Sequence, residues 1–216
     1  MTYKIALASN SPRRKQLLAL GGWQFKLIPA DIDETPHPGE FPAEYALRLA
    51  REKACCAAER AEAEEVIIAA DTIVIDGEAI LGKPRDTADA FAMLRRLRAR
   101  VHHVYTALAL RRSSDNAVLS DFFATEVPMR AYTEAEIEAY IASGDPMDKA
   151  GAYAIQHRGF NPVASLQGCY ANVMGLPLCH LARSLRCLGI SPITNIAQAC
   201  QETLQYACPV YLQVLA

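Results

Sequence analysis

The decamer VIIAADTIVI, residues 66–75, constrains this chain more than any other stretch. Apolar side chains fill both alternating sets of positions, the pattern of a strand buried on both faces within an α/β sheet. One carboxylate, Asp71, interrupts it. A lone buried carboxylate is costly, so it must be paired, protonated or bound to a metal. Two readings of Asp71 stay open. It is a structural aspartate satisfied by N–H groups or a basic partner, or a general base or metal ligand at a sheet edge, where α/β proteins bind ligands.

Strand and helix signals alternate around this segment. Residues 3–8 and 24–28 read as strands, 12–21 as a helix, and a helix runs from Pro42 to Glu62. An Asp76-Gly77 turn suits a hairpin, residues 86–98 read as a helix, and strands at 102–111 and 118–129 flank the turn RRSSDNA. Thr133 and Glu136 form a capping box for a helix that Gly144 stops. A short strand is expected at 151–156, a helix at 175–188, and a weaker helix in TNIAQACQETLQYA. The expected class is α/β with a mixed sheet and flanking helices, because hairpins interrupt the βαβ order.

The 216 residues suffice for one large or two small domains. A net charge of −2 gives no support for general nucleic-acid binding. No apolar run approaches a membrane span and the N-terminus is polar, so neither a membrane anchor nor a secretory leader is expected, and the protein reads as cytoplasmic. The seven cysteines are odd in number, and Cys55-Cys56 are neighbours on a helix, which favours reduced thiols. Cys179, His180, Cys187, Cys200 and Cys208 lack the CxxC spacing of a zinc site.

Several charges stand against the local apolar pattern. In ASNSPRRKQLLALGG, residues 8–22, Ser11 and Pro12 supply an N-cap and a first helical residue. Arg13 and Arg14 then sit where the helix dipole is already positive, so the turn gathers N–H groups, hydroxyls and guanidinium groups fit for an anion. Lys53 has Leu49, Ala50, Cys56 and Ala57 as its helical neighbours, which places it on the inward stripe, either snorkelling or contacting a phosphate in a cleft. Lys83 is held between Gly82 and Pro84, and DIDET groups Asp31, Asp33 and Glu34 as a solvated tip or half of a divalent-ion site. Asp148 and Lys149 adjoin the small run Ala150-Gly151-Ala152, where a ligand can approach the backbone. Arg13, Arg14, Lys53 and Lys83 to neutralise a polyphosphate, Asp71 to activate water and Glu34 to hold Mg²⁺ amount to equipment for metal-assisted phosphoanhydride hydrolysis. No Walker A pattern is present.

The motifs SNSPRR (9–14), LAREKA (49–54), AADTIV (69–74), GKP (82–84), YIASGDPMDKAGAYAIQ (140–156) and NVMGLPL (172–178), in this order, closely resemble the Maf family of nucleoside triphosphate pyrophosphatases. The resemblance covers residues 3 to 189, so a domain over 1–189 and an extension over 190–216 are expected. It implies a two-lobed α/β fold with a central cleft, similar in shape to the inosine triphosphate pyrophosphatases, commonly as a homodimer. It also implies conversion of a nucleoside triphosphate and water to the monophosphate and pyrophosphate with a divalent cation, Mg²⁺ or Mn²⁺. Asp71 matches the family's general base, with Glu34, Lys53 and Lys83 at its other catalytic positions and Glu34 and Asp71 on the metal. Ser9, Arg13 and Arg14 match its phosphate loop. Arg13, Thr72 and Gln156 match the branch acting on dTTP and UTP, where a sibling branch favouring 7-methyl-GTP carries an aromatic residue, Gln and Glu. His157-Arg158 and Cys169 depart from the usual glycine and serine near the expected base pocket. Rival readings are a pyrophosphatase for modified pyrimidine nucleotides such as 5-methyl-UTP, and a nucleotide-binding regulator of septum formation without significant turnover.

Overall fold

The computed structural model describes residues 4–216. Among these, six strands form one mixed sheet: β1 (Lys4–Leu7), β2 (Phe25–Leu27), β3 (Glu65–Asp76), β4 (Ala79–Leu81), β5 (Val101–Arg112) and β6 (Val118–Pro128). The order is β2-β1-β3-β5-β6, with β4 folded back on β3 through the Asp76-Gly77 turn. β1 is parallel to β2 and β3, whereas β5 runs antiparallel to both its neighbours, β3 and β6, as the hairpin signals require. Residue 3, the expected start of the first strand, lies outside the described residues.

The helices are α1 (Pro12–Ala19), α2 (Pro42–Ala58), α3 (Thr87–Leu97), α4 (Glu134–Ala142), α5 (Tyr170–Val173), α6 (Leu178–Arg186), α7 (Ile196–Leu204) and α8 (Tyr211–Leu215). They cover both faces of the sheet. On one face, α2 lays Ala46, Leu49, Ala50, Ala54 and Ala57 against Ala6, Ile67, Ala69, Ala107 and Ala109, small residues that admit close helix–sheet approach. The other face carries the larger core, built around Leu7, Ile68, Leu108 and Leu110 with Leu17, Leu94, Ile137 and Leu181 from the helices.

β3 organises the functional region because its two edges differ. On one side β5 pairs with every residue from Val66 to Ile75. On the other, β1 ends opposite Ile68 and β4, running back from Asp76, ends opposite Val74. Among the described residues no strand fills the interval between them, so Ala69–Ile73 border a gap in the sheet. Successive side chains of a strand point to opposite faces, so Asp71 projects with Ile67, Ala69 and Ile73 towards α2. Thr72 projects with Ile68, Ala70 and Val74 towards the larger core. The gap lets both faces open into one cleft.

The strand expected at 151–156 is absent. Gly151 and Ala152 adopt φ of 68° and 57°, and residues 150–152 form a tight 3₁₀ turn instead. Glycine is needed at 151 on two counts, its positive φ and the Val74 side chain, which a Cβ there would approach to 3.0 Å. The helix expected from residue 175 starts at Leu178, after Pro177. All seven cysteines are free thiols. Residues beyond 190 pack on the body: Trp23 Nε1 donates to the Ser191 carbonyl at 3.0 Å, and Thr194 Oγ1 donates to Leu20 O at 2.6 Å. No helix among the described residues is long and apolar enough to cross a membrane.

One consequence for stability follows from His102, whose side chain is buried on β5 with Nε2 sharing a hydrogen bond of 2.8 Å with the Tyr153 hydroxyl. Burial pushes its pKa down to about 4, against a small upward pull from Asp76 and with His103 adding to the lowering. The unfolded chain therefore binds a proton here that the folded chain refuses between about pH 6.5 and pH 4. Stability should fall as the pH drops through that window, by at most about 1.4 kcal/mol per pH unit from this residue. Urea denaturation at pH 7, 6 and 5 should show this slope, reduced in His102→Gln. An unchanged slope in the variant would reject the assignment.

Candidate active site

The cleft has a volume of about 710 Å³ and is lined from every motif named above: the turn 8–14, Glu34, Lys53, Asp71 and Thr72, residues 80–83, 148–150 and 153–156, and 173–175. Ser9, Arg13, Arg14, Glu34, Lys53, Asp71, Thr72, Lys83 and Gln156 all lie on this wall, and the fold brings them there from segments far apart in the chain.

On the α2 side, Lys53 Nζ lies 2.6 Å from Asp71 Oδ1 and 2.6 Å from Glu34 Oε1. The Lys53 and Asp71 side chains are only 11% and 9% exposed, whereas Glu34 is 52% exposed and faces the cleft. The ammonium group therefore answers the question Asp71 raised: the buried carboxylate is paired. Glu34 reaches the pair because the Tyr45 hydroxyl donates to its carbonyl oxygen at 2.7 Å, which fixes the acidic loop on α2. Burial alone would raise the Glu34 pKa; the hydrogen bond and charge of Lys53, with Lys83 and Arg14 behind, turn the shift downward. Asp33 stays out of the site, since its carboxylate accepts from the Thr35 N–H and hydroxyl.

Opposite lies the arginine turn. Ser11 Oγ caps α1 by accepting from the Arg14 N–H, as the Ser-Pro pair predicts. Arg14 is anchored through three of its nitrogens: Nε donates to Gly175 O at 2.9 Å, Nη2 to Thr72 Oγ1 at 3.1 Å, and Nη1 to Ser9 Oγ at 3.5 Å. A guanidinium has five N–H donors, so two remain for a ligand. Burial lowers the Arg14 pKa, against the opposing charge of Asp71 and with Arg13 adding to the lowering. Arg13 is freer, its nearest carboxylate oxygen being Asp148 Oδ2 at 3.7 Å.

Behind Arg14 runs a chain of hydroxyls that sequence reasoning missed. Thr106 Oγ1 donates to the Asn172 carbonyl at 2.8 Å, which commits its proton. The Thr72 hydroxyl, 2.9 Å away, must then donate to Thr106 and accept from Arg14. Asn172 is itself locked, its Nδ2 donating to Val104 O at 3.2 Å and to Thr125 Oγ1 at 3.0 Å. Thr72 was expected as a specificity residue, and the structure gives its hydroxyl the further task of orienting Arg14. Polar threonines on the apolar side of β3 and β5 were the available signal.

Lys83 is exposed at the cleft mouth, and Gln156 is half-buried on its wall. Lys149 is buried and bonded to the carboxylates of Asp145 and Asp148, which withdraws it from ligand contact. His157 and Arg158 were expected near the base pocket, but they do not line the cleft. The His157 ring packs on Tyr140 and accepts from the Phe160 N–H, and Arg158 reaches Gln205 in the extension. Cys169 also lies elsewhere, in a second, smaller cavity.

The donor set bears on metal binding. Among the described residues no cluster of three or more His, Cys, Asp or Glu side chains could hold a metal ion. Glu34 and Asp71 nevertheless converge on one point, now marked by Lys53 Nζ. Two carboxylates are only part of a ligand set for a hard divalent cation, which further oxygen donors from a ligand and water would have to complete.

A family model described as Maf-like protein matches residues 4–188. The chain belongs to the Maf-like family. Among its Maf-like relatives is a protein of Geobacter sulfurreducens named dTTP/UTP pyrophosphatase, 46% identical over 86% of this chain and 97% of that protein. A Citrifermentans bemidjiense protein of the same name is 47% identical over 86% of this chain and 95% of its own length. Among solved structures, the Ham1 protein of Staphylococcus aureus aligns with a TM-score of 0.43 at 17% identity, covering 59% of this chain and 72% of that one.

Proposed function

We propose that this chain hydrolyses dTTP and UTP to the nucleoside monophosphate and pyrophosphate. The observation that carries the reading is the Lys53 ammonium held at 2.6 Å from both Asp71 and Glu34, across one cleft from the anchored guanidinium of Arg14. In this scheme Arg13, the two free N–H groups of Arg14, the Ser9 loop and Lys83 bind the triphosphate. Asp71 takes the proton of the water whose attack breaks the α–β phosphoanhydride. Lys53 holds Asp71 in place and offers its remaining N–H to a phosphate oxygen. Glu34 and Asp71 would hold a divalent cation, Mg²⁺ or Mn²⁺, that neutralises charge on the polyphosphate when bound.

Gln156 presents an amide donor and acceptor to the base edge, which suits uracil and thymine. The names of the relatives support the same substrates. Residues 1–189 form the catalytic unit in this reading, and a cytoplasmic homodimer is the setting the resemblance implies.

Pyrophosphate release from dTTP, UTP, CTP, GTP, ATP and 7-methyl-GTP, with Mg²⁺ or Mn²⁺, tests it. Turnover should favour dTTP and UTP and vanish on chelation. Gln156→Glu should reduce kcat/KM for UTP by about tenfold or more, the usual worth of a lost base contact, while sparing the metal dependence. Turnover confined to 7-methyl-GTP would overturn the substrate, and tight nucleotide binding without turnover would favour the regulatory reading.

A further inference from the structure

Residues 29–41, which carry Glu34, cross from β2 to α2 with neither helix nor strand among them. Ala30 and Ile32 rest on the core beneath α2, but most of the other side chains are exposed, so apolar packing does little to order this segment. What holds it is a set of donors from α2 that take its backbone carbonyls. Arg60, just past the helix, donates to Pro29 O. The Tyr45 hydroxyl donates to Glu34 O at 2.7 Å, and Arg48 Nη2 donates to the next carbonyl, Thr35 O, at 3.1 Å.

Arg48 is the most heavily committed of these donors. Its Nε and Nη2 donate to the two carboxylate oxygens of Glu40 at 2.7 and 2.9 Å, and Nη1 reaches Glu52 at 3.3 Å. The Arg48 and Glu40 side chains are only 17% and 10% exposed, so this two-pronged pair is far less screened than an ion pair on the surface. Glu40 also accepts from the His37 N–H at 3.1 Å, which closes the far end of the segment. The Arg48 guanidinium lies 5.5 Å from the centre of the Tyr45 ring, so the two groups that hold the Glu34 and Thr35 carbonyls brace each other. Neither Arg48 nor Glu40 lines the cleft.

We infer that Arg48 and Glu40 are positioning residues that act through Glu34. They fix consecutive carbonyls of the segment on α2, and the Glu34 carboxylate is thereby presented at 2.6 Å from Lys53, beside Asp71. The inference rests on the hydrolase reading for what Glu34 does in the cleft, but not for where Glu34 is held. Without the clamp, a half-exposed glutamate on an exposed segment has water as a ready alternative to Lys53. A displacement of about 1 Å at a reacting centre costs on the order of a hundredfold in rate, so a pair outside the cleft controls turnover without touching substrate.

Four proteins test this: the parent, Arg48→Met, Glu34→Gln and the double variant. Each is assayed with Mn²⁺ and the nucleotide of the panel above that the parent turns over best, and each is unfolded in urea without metal. Arg48→Met should lower kcat at least about tenfold, with KM changed less than about threefold. In the Glu34→Gln background it should lower kcat by less than about twofold more, because the carboxylate it places is already gone. In urea, Glu34→Gln should lower the midpoint of the parent and leave that of Arg48→Met unchanged, a comparison that needs no turnover. If Arg48→Met fails to fold, Glu40→Gln, which keeps an acceptor for Arg48, takes its place in the same cycle. Arg51→Ala, on the same helix but bonded to Ser120 of β6, should change kcat less than about twofold. An undiminished kcat in Arg48→Met, or an equal loss of kcat with and without the Glu34 carboxylate, would overturn the inference. So would a Glu34→Gln effect on the urea midpoint that is the same with and without Arg48. A parent inert towards every nucleotide, with the urea cycle still coupled, would reject the hydrolase reading and leave the positioning of Glu34 standing.

Discussion

Asp71→Asn should lower turnover about a thousandfold, mid-range for the loss of a general base. The amide is isosteric and keeps an oxygen to accept from Lys53, but it cannot take a proton from water. Lys53 retains Glu34 as its charged partner at 2.6 Å, so no buried cation is left alone. The phosphate contacts assigned to Arg13, Arg14 and Lys83 are untouched. The loss should therefore fall on kcat, with KM changed less than threefold and a melting temperature within a few degrees of the parent. Steady-state kinetics beside a thermal melt separates the cases. Activity near that of the parent would remove Asp71 from the chemistry, and a loss carried by KM would leave it only the cation-holding part of its assigned role.

Lys53→Met produces the second large effect, and it reads the metal question without relying on turnover. The thioether fills much of the same space on the inward stripe of α2 but leaves Asp71 and Glu34 facing each other with no ammonium between them. Breaking a buried pair from one side is costly, and because Glu34 is half-exposed the expected loss is roughly 2 to 3 kcal/mol at pH 7, at or below the low end for such pairs. Divalent cation should recover part of that loss, since Mg²⁺ or Mn²⁺ can occupy the point where the two carboxylates meet. The melting temperature of the variant should thus rise with Mn²⁺ far more than that of the parent, while activity falls at least a hundredfold. No differential response to cation would remove the Glu34–Asp71 pair as a metal site.

The features legible in sequence were those carried by local pattern. Asp71 within an apolar run and Lys53 among Leu49, Ala50 and Ala57 announced themselves because each violates the period of its own element. Element order and the hairpins were readable for the same reason. What the pattern could not show was pairing. Nothing local tells that Lys53 meets Asp71 and Glu34, or that Arg14 is held by Gly175, 161 residues away in the chain. Nor could it show that Thr72, Thr106 and Asn172 form one directed chain of hydrogen bonds, because each alone is an ordinary polar residue. The expected strand at 151–156 is interrupted at its start: apolar residues around Tyr153 suit a strand, but Gly151 and Ala152 take positive φ and the backbone turns there, packed so closely on Val74 that only glycine fits at 151. Likewise His157 and Arg158 looked close to the base pocket by sequence adjacency to Gln156, while their side chains turn to Tyr140 and Gln205.

The alternation along β3 has an evolutionary consequence. Neighbouring residues serve different ends, Asp71 pairing with Lys53 on one face and Thr72 steadying Arg14 on the other. A deletion of one residue upstream within β3 would exchange the two sides at a stroke, sending the carboxylate into the large core and the threonine to Lys53. Substitution can therefore explore this strand one position at a time, whereas a change in its length cannot be tolerated. Lineages descended from such a chain should vary freely in the length of the β5–β6 turn and keep the spacing from Glu65 to Asp76 constant.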